Sequence, residues 1–228
     1  MYSLLLLNGG VGTRIGAGRP KQLLDIKGIP ILVYALVAVD KVAQIDQIVL
    51  NYPLGWRGEI ERIVESFAVR TPVTYAEAGN SRSESVEKML ALAHNERVII
   101  HEAARPMVTK SDFEALIAAD GENVSFMLPI PFTVAPVDPV TLRVTGSLDR
   151  SSLRNVQLPQ KFLASDLAAG FASAHERSAH YTEEATMAAD AGIDVRFIDG
   201  KDTNMKVTTP TDVRLATFLL REDAGHDD

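Results

Sequence analysis

Short apolar runs alternate with stretches of helical periodicity along most of this 228-residue chain, and that order limits its fold more than any other feature. Tyr2 to Leu7, QIVLNY (47–52), VTYAE (73–77), RVIIHE (97–102) and VSFMLPI (124–130) have the length and apolar content of buried strands. Between them lie PILVYALVAVDKV (30–42), GEIERIVESF (58–67), SRSESVEKMLALAH (81–94) and SDFEALIAAD (111–120), whose apolar residues recur at helical spacing. The alternation predicts an α/β fold with crossover helices packed on a mostly parallel sheet, which takes ligands at the carboxyl ends of its strands.

Residues 131–150, PFTVAPVDPVTLRVTGSLDR, break the pattern. Three prolines are followed by Val140, Leu142 and Val144 alternating with Thr141, Arg143 and Thr145, then by a turn-prone Thr-Gly-Ser; this reads as an extended ribbon leaving the main body. Helices are expected near 165–177 and 182–191, a strand at DVRFI (194–198), and a last helix opened by TPTD (209–212), where Pro210 suits a first helical turn. The tail EDAGHDD is expected to fray. With 46% hydrophobic residues, the whole chain, 1–228, can build one domain with the ribbon as an excursion.

A formal net charge of −7 argues against a nucleic-acid groove, so any cationic cluster must be local. The absence of cysteine excludes disulfides, thiolate metal sites and a cysteine nucleophile. The run Leu4 to Leu7 is too short for a signal peptide and has no cationic stretch before it, and no segment approaches the roughly 20 apolar residues of a membrane span. A cytoplasmic protein without nucleic-acid or membrane partners is expected.

The first strand runs into NGGVGTRIGAGRPKQLL, where glycines and the cations Arg14, Arg19 and Lys21 occur together. Bare backbone lets amide groups approach a polyphosphate, and the cations neutralise it. The dinucleotide-binding fingerprint is excluded, because Gly10 and Gly12 would require glycine where Ile15 stands, and the following strand ends in Asn51 rather than an acid. A Walker loop is excluded too, since Gly12 is followed by Thr13 and Arg14. A tight strand-to-helix turn with solvated charges is the alternative.

Six segments in order, GGVGTRIGAGRPKQLL, AGNSRSESV, VIIHEAARP, LDRSSLRNVQLPQKF, YTEEATMAADAG and GKDTNMKVTTPTD, give the chain a resemblance over nearly its whole length. It resembles the cytidylyltransferases of the 2-C-methyl-D-erythritol 4-phosphate and ribitol 5-phosphate type. The resemblance implies a three-layer α/β sandwich with a Rossmann-like sheet and a protruding β-ribbon, 131–150, that acts as a dimerisation arm. It also implies CTP as substrate, a magnesium ion, and attack by a polyol phosphate oxygen on the α-phosphorus with release of pyrophosphate. A phosphate monoester is already mostly dianionic near neutral pH, so no serine, cysteine or histidine has to be activated, and electrostatic stabilisation becomes the main task.

By the same resemblance Arg14, Lys21 and Lys206 are the catalytic cations, and Asn8, Gly9, Gly10, Gly12 and Thr13 wrap the triphosphate. Gly79, Asn80 and Ser85 hold the cytosine, although Ser81 or Ser83 followed by Glu84 also reads as a helix N-cap. Glu102 and Ala103 belong to the nucleotide site, with Glu102 as the metal carboxylate, while Arg105, Thr133, Arg150 and Thr182 contact the acceptor phosphate. For Lys206 the alternative is a surface lysine, and for Arg150 a salt bridge with Asp149 or a nearby acid. His101 reads as a strand-end histidine rather than a catalyst; His94, His175 and His180 lack zinc-like spacing. Asn8, Glu102, Leu158 and Glu183 depart from the family's usual alanine, aspartate, threonine and aspartate, which marks a divergent member. Methylerythritol phosphate ranks ahead of ribitol 5-phosphate as acceptor. A weakened nucleotide-binding relative and an enzyme that uses UTP or another NTP with a hexose 1-phosphate are the other readings.

Overall fold

Leu4 and Leu6 point to one face of strand β1 (Tyr2–Leu7) and Leu5 and Leu7 to the other, and both sets are buried, as in a strand covered by helices on both sides. The computed structural model describes residues 1–10 and 18–222. After the loop, Lys27 and Gly28, at φ 55° and 76°, make the two-residue turn that joins β2 (Asp25–Ile26) to β3 (Ile29–Pro30). The predicted alternation follows: α1 (Ile31–Val39), β4 (Ile45–Tyr52), α2 (Arg57–Ser66), β5 (Val73–Glu77), α3 (Arg82–Leu90), β6 (Arg97–Glu102), α4 (Lys110–Ala118) and β7 (Val124–Pro129). The chain closes with β8 (Val137–Asp138), β9 (Arg143–Val144), β10 (Arg154–Leu163), α5 (Ala164–Glu176), α6 (Glu184–Asp190), β11 (Arg196–Asp199) and α7 (Pro210–Glu222). Pro210 opens α7, where its missing N–H is not needed.

Seven strands form one sheet in the order β11-β7-β10-β6-β1-β4-β5. Only β10 runs antiparallel to its neighbours. Helices α1, α2 and α4 pack on the face of Leu4, Leu6, Ile48 and Leu50, while α3, α5 and α6 pack on that of Leu5, Leu7, Val49 and Ile100, giving three layers. A smaller cluster joins α7 to the β2–β3 hairpin through Ile26, Val207 and Ala216.

The sequence expectation contains no strand between the ribbon and residue 165, and β10 corrects it. Pro159 lies in its middle and a proline cannot donate to a ladder, so the segment does not read as a central strand. The strand accommodates it at a register shift: Gln157 pairs with Phe126, Gln160 with Ser125, and the Leu158–Pro159 peptide is cis. The ribbon is extended and exposed as expected, but its ladder is short. Val137 pairs with Val144 and Asp138 with Arg143, and the Asp138 carboxylate accepts from the N–H groups of Val140 and Thr141 to close the turn.

Candidate active site

The carboxyl ends of β1, β4, β5 and β6 are tied together, and a cleft of about 520 Å³ opens beyond them. Asn8 N–H donates to Asn51 Oδ1, Ala78 N–H donates to Tyr52 O at 2.9 Å, and Ala103 N–H donates to Leu7 O at 3.0 Å. The volume is in the range of small-molecule sites, roughly 300–1,000 Å³. Gly9, Gly10, Lys21, Gly79, Asn80, Ser85, Glu102 and Lys206, all named from the sequence, line this one cleft.

Lys206 reaches it because the segment that carries it is fastened at several points. Val207 N–H donates to Ala104 O at 2.8 Å, and Lys21 Nζ donates to Val207 O at 2.7 Å. Upstream, Arg105 Nη1 donates to Asn204 O at 2.8 Å, Asn204 Nδ2 to Leu158 O at 2.6 Å, and Gln157 Nε2 to Lys201 O at 2.9 Å. The middle of β10 therefore anchors the loop that presents Lys206.

Glu102 is the electrostatic centre. Lys206 Nζ lies 2.6 Å from its Oε1, Arg105 Nε 3.1 Å from its Oε2, and Arg82 Nε 3.7 Å from its Oε1. Burial pushes this carboxyl up, but the charges of Lys206, Arg105 and Arg82 outweigh burial and bring its pKa down to about 2. The cleft thus holds an ionised carboxylate among cations across the neutral pH range. His101, one residue earlier, is buried on the other face of the sheet with its ring edge-on to Phe113, 5.6 Å between centroids. Burial, then the charge of Arg105, lowers its pKa to about 3, so it stays neutral and away from the chemistry.

Helix α3 starts at the cleft wall. Ser81 caps it, accepting from Glu84 N–H at 3.0 Å, and the Glu84 carboxylate returns to Asn80 N–H at 2.7 Å. Ser85 Oγ accepts from Gly79 N–H at 3.0 Å and donates to Ser81 O at 2.8 Å. The cap and the cleft wall are the same residues, so capping the helix does not take this segment out of the cleft.

Other sequence-named residues lie elsewhere. Arg14, Gly12 and Thr13 fall outside the described residues. Asn8 and Ala103 are buried at the strand ends without lining the cleft, and Arg105 stands behind Glu102. Thr182 lines a second hollow of about 660 Å³, with Glu183, Arg154 and Phe132. Thr133 and Arg150 sit exposed on the ribbon and line neither hollow; Arg150 Nη1 donates to Pro131 O at 3.0 Å, and the Asp149 carboxylate is taken by Ser151 instead. Leu158 packs in the core beneath α5 rather than beside either hollow.

Sequence reasoning missed Arg82 and Glu184. Arg82 lines the cleft, is hydrogen-bonded to both oxygens of Glu184, and has Glu183 at 3.9 Å on the side of the second hollow. Burial lowers the Arg82 pKa, but the charges of Glu184 and Glu183 more than reverse this and raise it. Burial, opposed by Arg82 and aided by Glu183, pushes Glu184 up. The signal was present in the quoted AGNSRSESV as a cation in the first turn of a helix.

Comparison with known proteins identifies the family. The sequence model of the IspD family, 2-C-methyl-D-erythritol 4-phosphate cytidylyltransferase, matches residues 3–222. The 2-C-methyl-D-erythritol 4-phosphate cytidylyltransferase of Bacillus cytotoxicus is 33% identical over 223 residues, covering 96% of this chain and 98% of its own. That of Synechococcus sp. WH7803 is 35% identical over 232 residues, covering 96% and 99%. The crystal structure of 4-diphosphocytidyl-2C-methyl-D-erythritolsynthase from Anaerococcus prevotii has the same fold, with a TM-score of 0.84 over 97% of this chain and 98% of that one at 23% identity. The chain belongs to the 2-C-methyl-D-erythritol 4-phosphate cytidylyltransferase family and is a nucleotidyltransferase.

Proposed function

We propose that the chain transfers CMP from CTP to 2-C-methyl-D-erythritol 4-phosphate, a step of isoprenoid precursor synthesis, with residues 1–228 acting as one unit. An oxygen of the acceptor phosphate forms a bond to the α-phosphorus, the bond from that phosphorus to the bridging oxygen breaks, and pyrophosphate leaves with the electron pair. Lys21 and Lys206, with Arg14 from the glycine loop, neutralise the triphosphate and the leaving group. Asn8, Gly9, Gly10, Gly12 and Thr13 wrap the triphosphate, while Gly79, Asn80 and Ser85 border the base. The observation that carries this reading is that Lys21, Lys206 and the small-residue segments meet in one cleft.

Magnesium belongs to the same reading. Among the described residues Glu102 is the one carboxylate lining the cleft, and no group of three His, Asp or Glu is placed to hold an ion alone. An ion held by one carboxylate together with substrate phosphates would share the Glu102 oxygens with Lys206 and Arg105. Glu102 would hold it, and the metal supplies charge neutralisation on the reacting phosphates. Arg105, Thr182, Thr133 and Arg150 are assigned to the acceptor phosphate, the last two through a homodimer in which the ribbon completes a partner's site. No helix among the described residues is long and apolar enough to cross a membrane, and we assign the reaction to the cytoplasm.

Pyrophosphate release with CTP, magnesium and a panel of polyol phosphates tests the assignment. Turnover with methylerythritol phosphate is expected. Turnover with ribitol 5-phosphate alone would move the chain to the other acceptor, and none with any acceptor would leave a nucleotide-binding relative.

A further inference from the structure

Asn51 lies near the end of β4 and lines the cleft, yet it is only 1% exposed. Its Oδ1 accepts the N–H of Asn8. This bond fixes the orientation of the carboxamide, because the flipped form would set an NH2 against an N–H. The Nδ2 so oriented has no hydrogen-bond partner among the described residues. Leaving a buried donor unmet carries a desolvation cost that a ligand acceptor would relieve.

A glycine at position 9 is what keeps that amide unobstructed. A Cβ on Gly9 would stand 2.8 Å from Asn51 Nδ2 and 2.6 Å from the Cβ of Ala78, so any side chain at position 9 would crowd the amide. Along the same cleft the Ser85 hydroxyl proton is already donated to Ser81 O. Asn51 Nδ2 is therefore a buried side-chain donor without a partner among the described residues, in a cleft where the Ser85 hydroxyl is already in use.

We propose that Asn51 reads the base, donating from Nδ2 to a ring acceptor, O2 or N3, of the cytosine, with Asn8 N–H holding the carboxamide in place. This rests on the reading of the cleft as a CTP site. It gives the strand-end asparagine a role in nucleotide specificity, carried by the pyrimidine edge rather than by the phosphates.

Calorimetric titration of wild type, Asn51→Asp and Asn51→Ala with CTP and with inorganic tripolyphosphate, both with magnesium, tests it. The aspartate keeps the shape and an oxygen for Asn8 N–H but has no donor. CTP affinity is expected to fall at least about tenfold in both variants, a difference of about 1.4 kcal/mol, while tripolyphosphate binds as to wild type. Unchanged CTP affinity in a folded variant, or an equal loss of tripolyphosphate binding, would overturn the proposal. If the aspartate does not fold, the alanine variant decides. Wild type that fails to bind CTP would overturn the reading of the cleft as well, whereas wild type that binds CTP with unchanged variants overturns this inference alone.

Discussion

At Glu102 a single carboxylate holds Lys206, Arg105 and Arg82, so the cations of the site are kept in place by an acid that these charges keep ionised near neutral pH. Its neighbour His101 does the opposite. With a folded-state pKa of about 3 against 6.5, the unfolded chain takes a proton that the folded chain refuses throughout that interval. The stability this contributes is complete above pH 6.5 and is lost as pH falls toward 3, at up to about 1.4 kcal/mol per pH unit. Replacing His101 by Phe is predicted to remove that slope, whatever it does to absolute stability. Urea unfolding at pH 7.5 and pH 5 measures this, and an unchanged slope in the variant would refute it. Gly9 makes a second prediction at this scale: Gly9→Ala places a methyl against Ala78 and Asn51, and CTP affinity is expected to drop about tenfold by the same calorimetry.

Among the elements, β10 carries the most consequence for the site. Gln157 donates to the carbonyls of Lys201 and Asn204, the loop that leads to Lys206. Gln157→Ala removes both bonds, each worth about 0.5–1.5 kcal/mol, and is predicted to lower kcat roughly tenfold, measured by pyrophosphate release. Strands such as RVIIHE were legible because buried parallel strands are continuously apolar, and β5 and β6 fall on the residues expected of them. Strand β10 was not legible, since Pro159 and the register shift beside it erase the local signature and its place is decided by β6 and β7. The same holds at the site. Gly9, Lys21 and Lys206 were recognisable within local segments, whereas the bond from Arg82 to Glu184 joins residues 102 apart and has no local pattern.

For the whole molecule, the ribbon poses the main question. Val140, Leu142 and Phe132 are 88%, 87% and 76% exposed, apolar side chains of the segment through which the proposed homodimer would form. Mixing Arg150→Ala with Lys206→Ala after dissociation is predicted to restore about a quarter of wild-type activity, as expected if each site takes the ribbon of one chain and the cleft of the other. No recovery would confine each site to one chain. Catalysis by convergent charge requires cations from distant parts of the chain to meet at one triphosphate, with Lys206 presented by a loop that β10 anchors. Its most direct test is the rate of pyrophosphate release by folded Lys206→Ala at saturating CTP and 2-C-methyl-D-erythritol 4-phosphate. A loss of about 100- to 1,000-fold is predicted, and a rate within about threefold of wild type would contradict it.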